Sequence, residues 1–71
     1  MSVDIMVANI LAEGLQGIDR RSLPKLLQDP SLIKGMVKYY EHRKQIKIDT
    51  LLYRDICDKV KEGLIKVCKE L

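Results

Sequence analysis

The segment from Asp49 to Leu71 carries a strong helical repeat of apolar side chains, which constrains the fold more than any other feature of the sequence. At about 100° per residue its apolar side chains share an arc of roughly 160°, and charged residues fill the opposite side. The members of the arc are Leu52, Tyr53, Ile56, Cys57, Val60, Leu64, Val67, Cys68 and Leu71. The pattern predicts an amphipathic helix that begins at Asp49 and touches two neighbours. Ile65 lies among its charges, and Gly63 lies at the apolar margin, where another backbone could approach.

Three shorter helices are predicted before this one. The first runs from Ser2 or Asp4 to Glu13 or Leu15 and is broken by the glycines at 14 and 17. Residues 20–28 form a short second helix after Asp19, and Asp29-Pro30 starts the third. The third helix is expected to bury Leu32, Ile33, Met36, Val37 and Tyr40 and to expose Lys34, Lys38, Glu41, His42 and Gln45. Residues 45–48, the one strand candidate, read as a linker. We therefore expect a single all-α domain over residues 1–71, a small bundle of about four helices.

The first helix is apolar around most of its circumference. Met6, Val7, Ile10 and Leu11 fall on one side together with the downstream Ile18, whereas Ile5, Ala8 and Ala12 lie beyond that side. Three other short helices can hardly cover such a helix within one chain. We therefore expect a homodimer that completes the bundle. The expected interface residues are Ile5, Met6, Val7, Ile10, Leu11 and Ile65.

Composition places the chain among globular proteins, with 46% hydrophobic and 32% charged residues. Two cysteines are too few for a secreted disulfide framework, and the apolar run near the N-terminus contains Asp4 and lacks a basic leader region. We expect a cytoplasmic chain that does not enter membranes. Leu, Ile and Lys are abundant, while Asn and Gln are scarce, which is typical of heat-stable proteins.

No residue pattern predicts catalysis, a metal site or a bound cofactor. The single histidine, His42, is expected on a polar helix face, whereas Cys57 and Cys68 lie on the apolar arc three helical turns apart. The Gly14–Gly17 spacing matches a GxxG loop that clamps RNA, but the strands of that fold are absent here, and we read it as a helix break. We expect a protein that is not an enzyme.

The middle third of the chain is its only strongly basic segment. Residues 20–47 hold eight basic against two acidic residues, and residues 30–47 could act as the recognition helix of a helix-turn-helix. The contacts to nucleic acid would come from Arg20, Arg21, Lys34, Lys38, Arg43, Lys44 and Lys47. The preferred function is a non-enzymatic helical interaction module, a small adaptor or accessory subunit that binds itself or another protein through apolar helix faces. Nucleic-acid binding by the basic segment is the alternative.

Overall fold

The computed structural model describes residues 3–70, and every regular element in that range is helical. The elements are α1 (Val3–Leu15), a 3-10 turn (Arg20–Ser22), α2 (Leu23–Leu26), α3 (Ser31–Lys44) and α4 (Thr50–Lys69). The predicted all-α class is therefore confirmed for this part of the chain. None of its helices has the length and apolar character needed to cross a bilayer. The predicted positions of Ser2 and Leu71 lie outside the described residues.

The core lies where α1, α3 and α4 meet, since each of these helices packs against the other two. Ile10 of α1, Val37 of α3 and the α4 residues Ile56 and Val60 are almost completely removed from solvent. Leu23 is also fully buried, so the short α2 is attached to the bundle by its first residue. The apolar stripes read from the sequence therefore meet in one core.

Three aspartates begin the helical segments, as the sequence predicts. The Oδ1 atoms of Asp19, Asp29 and Asp49 accept hydrogen bonds from the backbone N–H two residues later, at 3.0, 2.9 and 3.0 Å. Each bond satisfies an N–H that the first helical turn leaves without a partner. The boundaries of α3 and α4 are thus set by local sequence.

Two predicted details of the first half are wrong. Residues 20–28 do not form one α-helix. Instead, a 3-10 turn (Arg20–Ser22) leads into a single α-helical turn that ends at Leu26. Pro30 disfavours helical geometry at Asp29, which separates this short segment from α3. α1 ends at Leu15, one of its two predicted ends, but Gly14 lies within the helix and does not break it. Gly14 instead provides space for Met36, whose side chain would collide with a Cβ at that position.

The connection from α3 to α4 turns sharply and is held by a side chain expected to face outward. Gln45 adopts the left-handed conformation with φ 54°, and the N–H groups of Gln45 and Ile46 bond back to His42 and Glu41 as in a Schellman motif. The N–H of Ile48 then donates to Glu41 Oε2 at 2.9 Å, and Ile48 is buried. Glu41 is therefore partly buried, contrary to the sequence prediction.

The apolar arc of α4 is also shorter than its periodicity predicts. Leu52 belongs to the arc by register but is 43% exposed, and its neighbour Leu51 is 87% exposed. The buried stretch of the helix begins at Ile56 and continues through Val60 to Leu64. The first turn of α4 is therefore packed on one side only, where Tyr53 is partly buried against the core.

Candidate interaction surface

α1 buries one side and exposes apolar residues on the other. Val7 and Ile10 are 8% and 1% exposed, because α3 and α4 cover them. Ile5, on the opposite side of the helix, is 58% exposed. We call the exposed side the outer face of α1; it consists of Ile5, Ala8, Asn9 and Ala12. Three of its four side chains are apolar, an unusual share for a helix face left in water.

A groove of about 350 Å³ lies beside this face, between α1 and α4. Its floor is formed by Val7 and Leu11 from α1 and by Gly63 from α4. The absence of a side chain at Gly63 lets the helices approach, because a Cβ there would lie 2.5 Å from Leu11 Cδ1. Ile65, which is partly exposed, lines the opposite edge. The groove and the outer face of α1 share the same helix and form adjoining apolar surfaces.

The two sides of the groove differ in charge. Among its described residues α1 carries Asp4 and Glu13 and no basic side chain. The α4 side of the groove has three lysines (Lys59, Lys66 and Lys69) against a single glutamate. Lys59 lies 3.9 Å from Asp4 Oδ1 and 3.6 Å from Asp55 Oδ2. Neither Lys66 nor Lys69 has an ion-pair partner among residues 3–70. The groove therefore has a basic end that lies further along α4.

The six residues predicted as an interface fall into three groups. Val7 and Ile10 lie in the chain's own core and are inaccessible to a partner, although Val7 reaches the floor of the groove. Met6 and Leu11 are partly buried against that core, whereas Ile5 and Ile65 are exposed. The sequence argument fails for Val7 and Ile10 because apolar periodicity predicts burial without identifying what covers the residue. Ala8, Asn9 and Ala12 were not predicted in the interface, but they are exposed on the side of α1 that the core leaves uncovered.

The basic side chains predicted as a nucleic-acid surface do not gather on one side of α3. Lys34 and Arg43 are nine residues apart on that helix, so they project in roughly opposite directions at ~100° per residue. Arg43 Nη1 and Lys44 Nζ lie 3.8 and 3.7 Å from Glu13 Oε1. Arg43 and Lys44 are nevertheless exposed, as are the remaining five residues, Arg20, Arg21, Lys34, Lys38 and Lys47.

Arg43 and Lys44 also compensate the charge of a partly buried carboxylate, that of Glu13. Glu13 Oε2 is buried and has no hydrogen-bond partner within the described part of the chain. A carboxylate in this position is costly unless positive charge lies nearby. The basic last turn of α3 therefore has a structural role at the junction with α1.

A second and larger concavity, of about 570 Å³, lies between the end of α1 and the first half of α3. Leu32 and Met36 form its apolar part, and Tyr39 stands at its edge. Its charged groups already have partners within the chain: Glu13 faces Arg43, and Asp29 accepts two hydrogen bonds from Ser31. The pattern is that of a structural junction, and the groove beside α1 is the stronger candidate.

The cysteines and the histidine do not converge. Across residues 3–70, no three histidine, cysteine or acidic side chains lie together as metal ligands would. Burial raises the pKa of the Cys57 thiol, and burial likewise raises the pKa of the Tyr53 hydroxyl beside it. The thiol is therefore protonated and weakly nucleophilic at neutral pH. His42 is exposed in the last turn of α3.

Comparison of the chain with protein-family models, with curated proteins and with solved structures finds no match.

Proposed function

We propose that the chain is a non-enzymatic helical interaction module that forms a homodimer through the outer face of α1. The observation that carries this proposal is the exposure of Ile5 on a face that also presents Ala8 and Ala12 and adjoins the apolar groove. Burying a large aliphatic side chain on association contributes about 1.5–3 kcal/mol. Because a two-fold interface uses the same patch twice, one exposed isoleucine contributes from both copies.

The charges along α1 and the groove favour a second copy as the partner. The two charged residues of α1 are acidic, with Asp4 exposed and Glu13 partly buried, and the neighbouring groove ends at Lys66 and Lys69. A second copy brings its own acidic α1 to this basic edge, so the surface is complementary to itself. Charge complementarity of this kind favours one partner and one orientation over others.

Nucleic-acid binding is the competing function. In its favour, Arg20 and Arg21 are exposed in the 3-10 turn, and Lys34 and Lys38 are exposed one helical turn apart on α3. Against it, Arg43 and Lys44 face Glu13, and α2 is a single turn, which is short for the first helix of a helix-turn-helix. A protein that binds phosphates should lose affinity steeply as salt rises. Because two of the predicted basic residues pair within the chain and the first helix of the motif is a single turn, we favour protein binding over nucleic-acid binding.

Sedimentation equilibrium across the micromolar range tests the dimer. We expect Ile5→Glu to weaken self-association by about 100-fold or more, because two apolar contacts are lost per dimer and a charge must be desolvated at each. Leu51→Glu is the matched control, since Leu51 is a more exposed apolar residue on a different helix, and this variant should dimerise like the wild type. Circular dichroism should show unchanged helix content in both variants.

Two outcomes would contradict the proposal. The first is a wild-type chain that stays monomeric throughout the micromolar range. The second is a dimer that Ile5→Glu leaves intact. A mobility shift with duplex DNA at low salt tests the alternative, with Lys34→Gln/Lys38→Gln as the variant and Lys66→Gln as the control. Binding that the double variant abolishes and the control retains would favour the nucleic-acid function.

A further inference from the structure

We propose that the two copies pair antiparallel along α1, with the two-fold axis passing beside Ala8 and Asn9. This inference rests on the homodimer proposed above and adds the orientation and register of the contact. It follows from where the charges of the groove lie along the helices and from the order of large and small residues on the outer face of α1.

The charges lie at opposite ends of the groove. α1 and α4 run in the same direction there, because Asp4 pairs with Lys59 and Leu11, further along α1, meets Gly63. Lys66 and Lys69 follow Lys59 by seven and ten residues, which is about 10 and 15 Å along α4. An antiparallel second copy brings its own Asp4 toward this basic end and to the level of Glu13, whose charge Arg43 and Lys44 compensate. A parallel copy instead brings the two Asp4 carboxylates to the same level. Like charges at one level oppose association, so the antiparallel arrangement is favoured.

The shapes of the side chains agree with this orientation. With the axis beside Ala8 and Asn9, Ile5 of one copy lies opposite Ala12 of the other, and Ala12 lies opposite Ile5. The large side chain at one end thus meets a small one at the other, as interdigitated packing requires. A parallel pair would instead place Ile5 against Ile5 and leave Ala12 facing Ala12 across a gap.

Asn9 supplies a means of fixing the register. It is exposed, and it is the polar residue at the centre of this face. Next to a two-fold axis, each amide can donate to and accept from its symmetry mate. A shift by one helical turn would place the amide against apolar side chains and leave it without these hydrogen bonds. A single polar residue in an apolar helix seam fixes register in this way in coiled coils.

Cysteine crosslinking tests the inference. The single variants Ile5→Cys, Ala8→Cys and Ala12→Cys are oxidised, each alone and in pairs, at a concentration where the wild type dimerises. We expect Ala8→Cys to form a covalent dimer with itself. Neither Ile5→Cys nor Ala12→Cys should do so, because each lies about 10 Å along the axis from its symmetry mate, beyond the ~7 Å reach of a disulfide. A mixture of Ile5→Cys with Ala12→Cys should crosslink. The wild-type chain, with Cys57 and Cys68, sets the background, and peptide mapping identifies the bond.

The possible failures are distinguishable. Absence of any dimer by sedimentation overturns both the homodimer and its register. A dimer in which Ile5→Cys crosslinks to itself overturns the antiparallel arrangement and leaves the homodimer standing. A dimer in which none of these positions crosslinks above the background places the contact elsewhere and overturns the use of α1.

Discussion

Replacing Gly63 by alanine tests the close packing of α1 on α4 that shapes the groove. A methyl group at this position would lie 2.5 Å from Leu11 Cδ1 and within 3.5 Å of two further atoms of that side chain. Gly35 offers a matched control, because it also lies within a helix but an added Cβ would meet nothing within 4 Å. Both substitutions gain the same intrinsic helix propensity, so the difference between them reports the contact with Leu11.

The two substitutions should change the free energy of unfolding by different amounts. Gly35→Ala should stabilise the fold by about 1 kcal/mol, since alanine loses less backbone entropy in a helix interior than glycine does. In a domain of this size, that is a rise in Tm of about 4–8 °C. Gly63→Ala gains the same ~1 kcal/mol but overpacks the contact with Leu11 at a cost of about 1–3 kcal/mol. Its net effect should therefore range from neutral to a loss of about 2 kcal/mol.

The assay is urea unfolding followed by circular dichroism, with every variant at the same protein concentration because dimerisation contributes to apparent stability. The double variant Leu11→Ala/Gly63→Ala, compared with Leu11→Ala alone, should recover the full gain of about 1 kcal/mol, because the colliding methyl groups are gone. If Gly63→Ala stabilises the wild type as much as Gly35→Ala does, Leu11 does not pack on Gly63 and the groove described above is incorrect.

Two further predictions concern local structure. Gln45→Gly should stabilise the chain by about 0.5–1 kcal/mol in the same assay, because the left-handed backbone at this position strains any residue with a Cβ. An unchanged or lower free energy of unfolding would contradict the Schellman motif. The backbone N–H and then the hydroxyl of Ser31 lower the pKa of Asp29 below its usual 3.8, so its stabilisation is complete above that pH and is lost as the pH falls through the lower folded value. In an NMR titration, Ser31→Ala should raise the pKa of Asp29 part of the way back, since the backbone hydrogen bond remains; an unchanged value would show that the hydroxyl has no effect.

The elements set by local sequence could be predicted, and those set by distant contacts could not. Asp49 and the apolar repeat that follows it identify α4 and its first residue, because capping and amphipathicity act within a few residues. The outward position expected for Glu41 is wrong, because the left-handed turn at Gln45 brings the N–H of Ile48 back to its carboxylate. No periodicity within α3 encodes that bond, since its donor lies beyond the end of the helix.

The candidate site shows the same division. The apolar excess of α1 is visible in the sequence, and the structure leaves Ile5 of this helix exposed. Which of its sides meets α3 and α4 depends on tertiary packing, so Val7 and Ile10 were predicted in the interface although the chain's own core encloses them. The basic turn of α3 is likewise visible, but its pairing with Glu13 spans thirty positions of the chain.

A comparison of two helices within this chain supports α1 as the contact surface. Opposite its buried stripe, α4 carries almost only charged residues, with Ile65 as the main exception after the first turn. A face left in water is thus polar where this sequence builds one. α1 is packed in the same bundle, yet its outer face keeps Ile5, Ala8 and Ala12 and has no charge. Solubility alone would favour charged residues at those positions, as on α4. The contrast is expected if the outer face of α1 is covered by a second helix, such as the α1 of the second copy that we propose.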